Sequence, residues 1–543
     1  MIISGSIVDV IRRIIFKGRI YIKNGKIYDI QPSDSVNNVF ILPGLIDAHV
    51  HIESSMLTPG RYAQNAVKHG VISVVTDPHE IVNVCGVEGM KYMIEDSQKV
   101  PFKFYFGVPS CVPATPFENS GAKIDAEQIA ELFDTYNLKF LAEMMNFPGV
   151  INQDPEVMSK IKVALDRGLP IDGHAPGVTG ENLLKYVNAG ITTDHECSTM
   201  AEALEKIKLG MKIIIRNGSA AKNYNDLFEL INTYPDQVMI CTDDFHPDNF
   251  ASEYLEQFIK NRKKKNVEFW NLMQALTINP IDHYKLNVGL LQMDDPADFI
   301  VVNNLQQFNV LQTWIDGRCV FDGAETFDYV PNENKINNFL VKEITADQIK
   351  IAPTSDRLNV IKAFDGQLYT EHMVVKPKVV DDNCISDIEH NILKIVVLNR
   401  YTENAEPSVG FVHGFGLKNG AFAGSVAHDS HNIVAIGVTD SDIVRAINEI
   451  VKHKGGLSVV NGEDTHFLPL PIAGLMSDDE VETVAEKYNE LDNMVKSLGS
   501  KLKSPFMTMA FMPLLVIPKL KISDQGLFDV VKFNFTPLFD KHS

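Results

Sequence analysis

The segment from residue 44 to about residue 284 repeats one pattern: a short apolar run, a polar or glycine-containing turn, and then an amphipathic stretch such as IDAEQIAELFDTY at 124–136. This alternation is typical of β-α units around a parallel sheet. The runs that fit a strand are 41–47, 71–76, 102–108, 138–143, 170–174, 191–195, 211–216 and 237–243. Eight parallel strands in about 240 residues predict an α/β fold of the (β/α)8 type, the TIM barrel.

Short alternating runs of apolar and polar residues flank this region on both sides, in residues 1–43 and 285–335. Asn24-Gly25 and Asp316-Gly317 are dipeptides that favour two-residue hairpin turns. Similar strand-forming segments on both sides indicate that the barrel of residues 44–284 is inserted into one small β-sandwich domain. Such an insertion is workable where the two chain ends of the host domain lie close together.

The last part of the chain, residues 336–543, mixes strand and helix signals and predicts a C-terminal α+β domain. Within it, Ser477 and Glu480 have the spacing of a capping box ahead of a helix that runs to about Leu498. Gly499 is expected to end that helix. A chain of 543 residues is long enough for about three or four domains.

Charge and cysteine content narrow the classes of partner. A formal net charge of −20 argues against nucleic acid or a membrane as the partner and favours a neutral or cationic small substrate. The six cysteines are scattered without a C-x-x-C pair, which is typical of reduced thiols in a cytoplasmic protein. The apolar run Phe506–Ile517 is short and contains Pro513, so it predicts a buried core segment and not a membrane span.

Side chains that can bind metals stand at the predicted carboxyl ends of five strands, where a barrel of this kind builds its active site. His49 and His51 end strand one and, as residues i and i+2 of an extended segment, point to the same side. An isolated H-x-H pair is equally typical of a solvated loop, but here the set is larger. Its members are His49, His51, Glu143, His174, His195 and Asp243.

Four imidazoles and two carboxylates on one rim suit two divalent cations with a bridging carboxylate. Two such cations lower the pKa of a shared water toward neutrality, which supplies a hydroxide nucleophile and predicts a hydrolase. Asp243 is placed to accept the proton of that water and to pass it to the leaving group.

Distinctive motifs recur along the chain, and together they resemble the adenine deaminases, a family of the amidohydrolase superfamily. The motifs are GLIDAHVHIESSMLTP (44–59), TDPHEI (76–81), AEMMNFPGV (142–150), DGHAPG (172–177), TTDHE (192–196), RNGSAAKN (216–223) and CTDD (241–244). Two later segments, GSVAHDSHNIVAIG (424–437) and SPFMTMAFMPLLVIPKLKI (504–522), are similar to that family's own C-terminal module. The resemblance covers nearly the whole chain.

The resemblance implies hydrolytic deamination of adenine to hypoxanthine and ammonia in purine salvage, with two divalent metal ions that are manganese or iron(II). It also implies the metal-ligand roles given above, with Glu143 where many relatives carry a carboxylated lysine. On the same ground we expect a homodimer or a larger homo-oligomer.

One motif departs from the pattern of the mononuclear deaminases, which carry a glutamate three residues after the strand-five histidine to protonate the ring. Gly177 stands at that position here. We nominate His79, with Glu80 beside it, as the catalytic replacement, because TDPHEI (76–81) ends strand two on the same rim and histidine titrates near neutral pH. The alternative is that Pro78 starts a helix whose dipole Glu80 complements.

Three further residues are assigned to substrate binding. Asp244 resembles the aspartate that pairs with a ring nitrogen in purine deaminases, the alternative being a helix N-cap. Arg216, at the end of strand seven, is expected to orient the base or a loop, and a structural role is the alternative. Glu53 stands two residues after His51.

A second polar cluster and several rival functions remain open. The cluster comprises His413, His428, Asp429 and His431, for which a structural role, a cover over the barrel mouth and another metal site are the alternatives. The rival functions are hydrolysis of a modified adenine, a cyclic amide or an N-acetyl sugar, and, from another class, a scaffold without activity. The presence of all six metal-binding residues disfavours the scaffold.

Overall fold

The computed structural model describes residues 1–219 and 222–540, so Ala220 and Ala221 of the RNGSAAKN motif lie outside the described residues. The chain folds into two compact units. The first comprises Met1–Pro78, Met93–Ser110 and Asp125–Pro331. The second comprises His79–Tyr92, Cys111–Ile124 and Asn332–Ser543.

Strands and α-helices alternate from Leu45 to Tyr284, whereas strands follow one another without an α-helix between them from Ile2 to His51 and from Phe299 to Gly437. The strands are β1 (Ile2–Asp9), β2 (Ile14–Lys23), β3 (Lys26–Pro32), β4 (Phe40–Pro43), β5 (Leu45–His51), β6 (Val71–Thr76), β7 (Lys103–Phe106), β8 (Leu141–Met144), β9 (Ile171–Gly173), β10 (Thr193–Asp194), β11 (Lys212–Arg216), β12 (Val238–Cys241), β13 (Asp243–Asp244), β14 (Phe299–Val302), β15 (Val310–Ile315), β16 (Arg318–Phe321), β17 (Leu358–Lys362), β18 (Glu371–Val375), β19 (Lys378–Val380), β20 (Asn383–Ile385), β21 (Ile392–Leu398), β22 (Ser408–His413), β23 (Ala421–Gly424), β24 (Ile433–Gly437), β25 (Gly456–Asn461), β26 (Asp464–Pro469), β27 (Leu520–Ser523), β28 (Gly526–Asp529) and β29 (Asn534–Phe535). The α-helices are α1 (Pro59–Lys68), α2 (His79–Cys85), α3 (Val87–Ser97), α4 (Ala126–Thr135), α5 (Phe147–Ile151), α6 (Pro155–Asp166), α7 (Gly180–Asn188), α8 (Met200–Lys208), α9 (Tyr224–Leu227), α10 (Glu229–Thr233), α11 (Pro247–Phe250), α12 (Glu256–Asn261), α13 (Phe269–Leu276), α14 (Ile278–Tyr284), α15 (Asp440–His453), α16 (Val481–Ser497) and α17 (Pro505–Ala510). Short 3-10 helices are Ile52–Ser55, Pro235–Gln237, Arg262–Lys265 and Ala346–Ile349.

One sheet of the first unit contains strands from both sides of the barrel, in the order β16-β15-β14-β4-β1-β2-β3. Asn24-Gly25 forms the hairpin turn between β2 and β3, and Asp316-Gly317 forms the one between β15 and β16. All four residues have the positive φ that such turns need. Apolar residues of this sheet, Phe299 and Trp314 among them, form a core of their own.

The run expected to be the first barrel strand, 41–47, divides at Gly44. Strand β4 pairs with β1 and β14 in the seven-stranded sheet, whereas β5 enters the barrel. A Cβ atom on Gly44 would lie 2.5 Å from the side chain of Ile72, so only glycine lets the chain pass so closely here. His49 and His51 are therefore residues of a barrel strand and not of the loop that follows it.

Eight parallel strands close the barrel, which confirms the predicted TIM-barrel fold. Parallel pairing joins β5 to β6 and β7, β8 to β9, and β10 to β11 and β12. Val108 bridges to Leu141 between β7 and β8, and the amide of Thr192 donates to the carbonyl of Ile171 between β9 and β10. Strand β13, which continues the eighth strand, pairs with β5 and completes the ring.

The second unit is built on an eight-stranded sheet in the order β18-β17-β22-β21-β24-β23-β25-β26. Helix α15 packs into its core through Ile443, Ile447 and Ile450, which recur at helical spacing on one face. The Thr439 side chain caps the start of this helix by accepting a hydrogen bond from the amide of Asp442.

The capping box expected from Ser477 and Glu480 does not form. The Ser477 hydroxyl accepts from the amide of Asp479, two residues further on, and Glu480 itself occupies the N-cap of α16 without a side-chain cap. The serine makes a local turn instead, because its short side chain reaches the nearer amide first.

The apolar run Phe506–Ile517 is buried, as expected for a core segment. Its only helical part is the short α17, and Pro505 stands at the start of that helix. Among the residues that the structure describes, no helix is long and apolar enough to cross a membrane.

Candidate active site

The carboxyl ends of the barrel strands bring six metal-binding side chains of the first unit together. In β5, the alternation of a strand turns His49 and His51 to one side, and their Nε2 atoms lie 3.2 Å apart. Both imidazoles are buried. His174 and His195 follow β9 and β10 directly, and their rings meet edge to face.

Glu143, in β8, stands between these two pairs of histidines. Its Oε1 lies 3.2 Å from Nε2 of His51, whereas its Oε2 lies 2.7 Å from Nδ1 of His174 and 3.1 Å from Nε2 of His195. The two oxygens of one carboxylate therefore face two different sets of ligands, which is the arrangement that a bridging ligand needs.

Asp243 closes the rim on the side of strand one. Its Oδ1 lies 3.0 Å from Nε2 of His51 and 3.5 Å from Nε2 of His49. The residue has a φ of 58°, in the left-handed region, where aspartate is tolerated better than most residues. Pairing with Val50 of β5 holds it in that conformation and so directs its carboxylate at the histidines.

The donor set fits divalent cations. His51 Nδ1 lies 2.9 Å from the carbonyl of Asp77 and donates to it, which leaves Nε2 with its lone pair toward the site. Ligand atoms of His49, His195 and Asp243 all lie within 4.8 Å of one another, as do those of Glu143, His174 and His195. Imidazole nitrogen and carboxylate oxygen are the ligands of manganese, iron and zinc in proteins.

The charges of the buried groups favour the same conclusion. Burial, and after it the neighbouring His195, lowers the pKa of His49 to about 4, so His49 is neutral at pH 7 and its lone pair is available. Burial by itself would raise the pKa of Glu143, but His195 and His174 outweigh it and hold that pKa well below its ordinary value. Burial would lower the pKa of His195, but Glu143 and Asp243 outweigh it and raise that pKa to about 9. The site therefore combines a neutral imidazole at His49 with an ionised carboxylate at Glu143, and the charge of that carboxylate is balanced by His195.

Arg216 ends β11, and its guanidinium binds two carboxylates of the site. Its Nη1 donates to Oε1 of Glu196 over 2.5 Å and to Oδ2 of Asp243. Burial would raise the pKa of Asp243, but Arg216 and then the two strand-one histidines hold it well below its ordinary value. Sequence reasoning missed Glu196, although it follows His195 directly in the TTDHE motif.

Comparison with known proteins identifies the family. The model of the amidohydrolase family matches residues 40–320, and the model of the adenine deaminase C-terminal domain matches residues 367–534. The chain is 50% identical to adenine deaminase of Methanosarcina mazei, over 98% of this chain and 99% of that protein. The chain belongs to the adenine deaminase family of amidohydrolases. Its membership implies a divalent metal site, and the structure has a cluster of His, Asp and Glu side chains around Glu143 that could hold a metal ion.

Other members of the adenine deaminase family are similar over comparable lengths. Adenine deaminase of Salinibacter ruber is 46% identical over 99% of this chain and 98% of that protein. Adenine deaminase of Borreliella burgdorferi is 42% identical over 98% of both chains. Among solved structures, a beta-aspartyl dipeptidase from Fervidobacterium islandicum AW-1 aligns with a TM-score of 0.47 and 18% identity, over 60% of this chain and 99% of that one.

The residues assigned to substrate binding lie near the candidate metal ligands. Asp244, next to Asp243 in β13, is half-buried, and its Oδ1 accepts a hydrogen bond of 2.5 Å from the hydroxyl of Ser54. Glu53 precedes that serine in the 3-10 helix after β5 and is buried. Asp244 is a strand residue and not the helix N-cap that was the alternative. Ser54 carried no signal in the sequence beyond its place in the ESS segment.

His79 and Glu80 belong to the second unit, where they begin α2. The Glu80 carboxylate contacts Nδ1 of His428 through Oε1 and Nε2 of His431 through Oε2. Nε2 of His79 lies 3.6 Å from Oε1 of Glu80 and 3.7 Å from Oδ1 of Asp429. Burial would raise the pKa of Glu80, but the three histidines outweigh it and hold that pKa well below its ordinary value.

The second polar cluster predicted from the sequence thus forms in part. His428, Asp429 and His431 are buried and gather with His79 and Glu80. His413 ends β22, where it pairs with Ile392 of β21 and Lys362 of β17, and it is only half-buried. A catalytic role for His79 and Glu80 stays a prediction.

Proposed function

We propose that the protein hydrolyses adenine to hypoxanthine and ammonia at the rim of the barrel. The observation that carries the proposal is the position of Glu143, whose two carboxylate oxygens face His51 on one side and His174 and His195 on the other. A hydrolase that activates water between two cations needs such a bridging group, and the family relationship directs the chemistry to a purine amine.

The metal ligands proposed are His49, His51, Glu143, His174, His195 and Asp243. Two divalent cations, manganese or iron(II), bound by these residues would lower the pKa of a water to near neutrality. Asp243 accepts a proton from the attacking water and gives it to the exocyclic amine, which leaves as ammonia. Arg216 binds the second oxygen of Asp243 and so fixes the direction in which the first oxygen points.

The atoms balance without a further reactant. Water supplies its oxygen to C6 of the purine, where the C–N bond breaks and a carbonyl forms. One proton of the water leaves on ammonia and the other ends on ring N1. Asp244 is proposed to bind a ring nitrogen of the base, and Ser54 holds Asp244 in place.

Ammonia release measures the proposed activity directly. Purified protein loaded with manganese or iron(II) is expected to release ammonia from adenine, and the His49→Ala/His51→Ala variant is expected to release none. Wild-type protein that has bound two metal ions but releases no ammonia would refute the adenine assignment. A modified adenine, a cyclic amide and an N-acetyl sugar are the substrates to measure next.

Assembly and compartment stay predictions. A homodimer or a larger homo-oligomer in the cytoplasm is expected, and analytical ultracentrifugation at several protein concentrations measures the number of subunits. A sedimentation coefficient that stays at the value for a chain of 60.6 kDa would contradict the oligomer.

A further inference from the structure

Lys206 is an ionisable residue buried beneath the part of the rim formed by β9 and β10, the fifth and sixth strands of the barrel. It lies in α8, and none of its side chain is exposed. Its ammonium group donates to the carbonyl of Ala175 at 2.8 Å, to Oδ2 of Asp194 at 2.9 Å and to Oε1 of Glu202 at 2.7 Å. All three protons of the ammonium group are therefore used, two of them on carboxylates.

The carboxylates of Asp194 and Glu202, which bind Lys206, also accept hydrogen bonds from the backbone of two loops. Asp194 accepts from the amide of Ala175 at 2.8 Å and from the amide of Glu196 at 3.2 Å. Glu202 accepts from the amide of Gly177 at 2.9 Å and from the amide of Ser198 at 3.2 Å. One cation and two anions thus connect the loop after β9 to the loop after β10.

Those two loops carry the histidines that face Oε2 of Glu143. His174 precedes Ala175, and His195 lies between Asp194 and Glu196. We propose that Lys206 is a positioning residue that sets the spacing of His174 and His195, and with it the second of the two cation sites. The inference rests on the two-cation site of the proposed function, and it concerns metal binding before any chemistry.

The physical reason is the charge balance of a buried cluster. With Lys206 ionised, the cluster with Asp194 and Glu202 carries one negative charge, and without it two buried carboxylates have no cation between them. Removing one partner of a buried ion pair costs far more than removing an exposed one, because the remaining charge stays uncompensated. Repulsion between Asp194 and Glu202 would move the two loops apart, and His174 and His195 with them.

The matched control is Lys394, an equally buried lysine in the second unit. Its ammonium group donates to Oδ1 of Asp440 at 2.6 Å and to the carbonyl of Ile349 at 3.0 Å. Lys206→Met and Lys394→Met therefore both remove a buried lysine from an aspartate. Only the first is expected to affect the metal site.

Calorimetric titration of metal-free protein with Mn²⁺, together with metal content after dialysis, tests the proposal. For Lys206→Met we expect the first equivalent to bind as in wild type and the second at least about tenfold more weakly. For Lys394→Met we expect two equivalents bound as in wild type at a similar loss of thermal stability. The proposal would be overturned if Lys206→Met bound both equivalents of Mn²⁺ as tightly as wild type. It would also be overturned if Lys394→Met lost as much affinity for the second equivalent as Lys206→Met does.

A second variant keeps the test decisive if Lys206→Met does not fold. Lys206→Met/Glu202→Gln restores the original single negative charge of the cluster and is expected to recover part of the lost affinity for the second equivalent. Glu202→Gln alone keeps Lys206 and is expected to bind both equivalents within about threefold of wild type. If the charge-restored variant folds and binds no better than a single equivalent, charge balance is not the cause and the proposal fails.

The proposed function and the inference about Lys206 can be refuted separately. Wild type that binds two cations but releases no ammonia from adenine would refute the substrate and leave the role of Lys206 open to the same titration. Wild type that binds only one cation would overturn the inference about Lys206 itself.

Discussion

The Ser54 hydroxyl lies 2.5 Å from Oδ1 of Asp244, so a residue three positions after His51 holds the carboxylate of the residue that follows Asp243. Ser55 beside it is equally buried, but its hydroxyl donates to the carbonyl of Ile52 within its own turn. The two serines therefore differ in the hydrogen-bond partner of the hydroxyl and not in burial.

We expect Ser54→Ala to raise KM for adenine about tenfold, because a hydrogen bond to a charged group contributes about 1.5 kcal/mol or more. Ser55→Ala is expected to leave KM within about twofold of wild type. Steady-state kinetics on both variants at matched metal content checks this. Equal KM values for the two variants would contradict a role for Ser54 in holding Asp244.

Glu143 is expected to be indispensable as a charged bridge. Glu143→Gln keeps the size of the side chain but loses the negative charge that faces the histidines on both sides. We expect kcat/KM to fall by at least about 10³-fold and the affinity for both metal equivalents to fall with it. Glu256→Gln is the control, since Glu256 is also a buried glutamate in contact with a histidine, His69, away from the strand ends.

Arg216 is expected to act through Asp243 and not through the substrate. Arg216→Met leaves the carboxylates of Asp243 and Glu196 without their shared cation. We expect kcat to fall about 100-fold with little change in KM, since the interaction that is lost orients the proton-transfer group. A rise in KM at unchanged kcat would show instead that the guanidinium contacts the base.

His283 in α14 makes stability depend on pH. Burial, and then Lys212 and Lys285, lower the pKa of His283 to about 4, below its ordinary value of about 6.5. The contribution of His283 to the free energy of unfolding is complete above the pKa that the residue has in the unfolded chain. It is lost as the pH falls from about 6.5 to about 4, because in that range the unfolded chain binds a proton that the folded chain does not. We expect that contribution to be about 2 kcal/mol, allowing for partial exposure.

Chemical unfolding at several pH values checks the prediction for His283. His283→Gln is expected to lose less stability than wild type between about pH 6.5 and pH 4. The control is His390→Gln, since the side chain of His390 is 73% exposed. Parallel stability curves for wild type and His283→Gln would contradict the prediction.

Metal removal is expected to lower the thermal stability of the protein. Ligands that bind only the folded state stabilise it by about 2.7 kcal/mol at a concentration one hundred times Kd. Chelation should therefore lower Tm, and added manganese should restore it. His49→Ala/His51→Ala should show no such recovery, and a Tm that ignores both chelator and metal would contradict a cation at this site.

The sequence alone predicted the barrel and the five strand ends that carry the candidate metal ligands, because both depend on short-range periodicity. Alternation along β5 turns His49 and His51 to one side whatever the rest of the chain does. Parallel strands then place Glu143, His174, His195 and Asp243 on the same rim, since that direction is common to every strand of a barrel. Local patterns of this kind can be recognised in a single amino-acid sequence.

Local reading failed where two signals competed within a few residues. The run 41–47 looked like one strand, and only pairing with distant β1 and β14 divided it at Gly44. The Ser477 side chain had a nearer amide to bind than the capping box requires. In both cases the deciding partner was a matter of distance in space, which the periodicity of the sequence does not contain.

What the sequence determined by itself is therefore which candidate metal-binding side chains share one rim, since the place of each is fixed by its strand and the direction of that strand. Tertiary structure decided the partners of these and neighbouring residues: Arg216 for Asp243, Ser54 for Asp244, and Lys206 for the carbonyl of Ala175 beside His174. These contacts join residues brought together from different β-α units. Their strength depends on burial and charge balance, and both exist only after the barrel has closed.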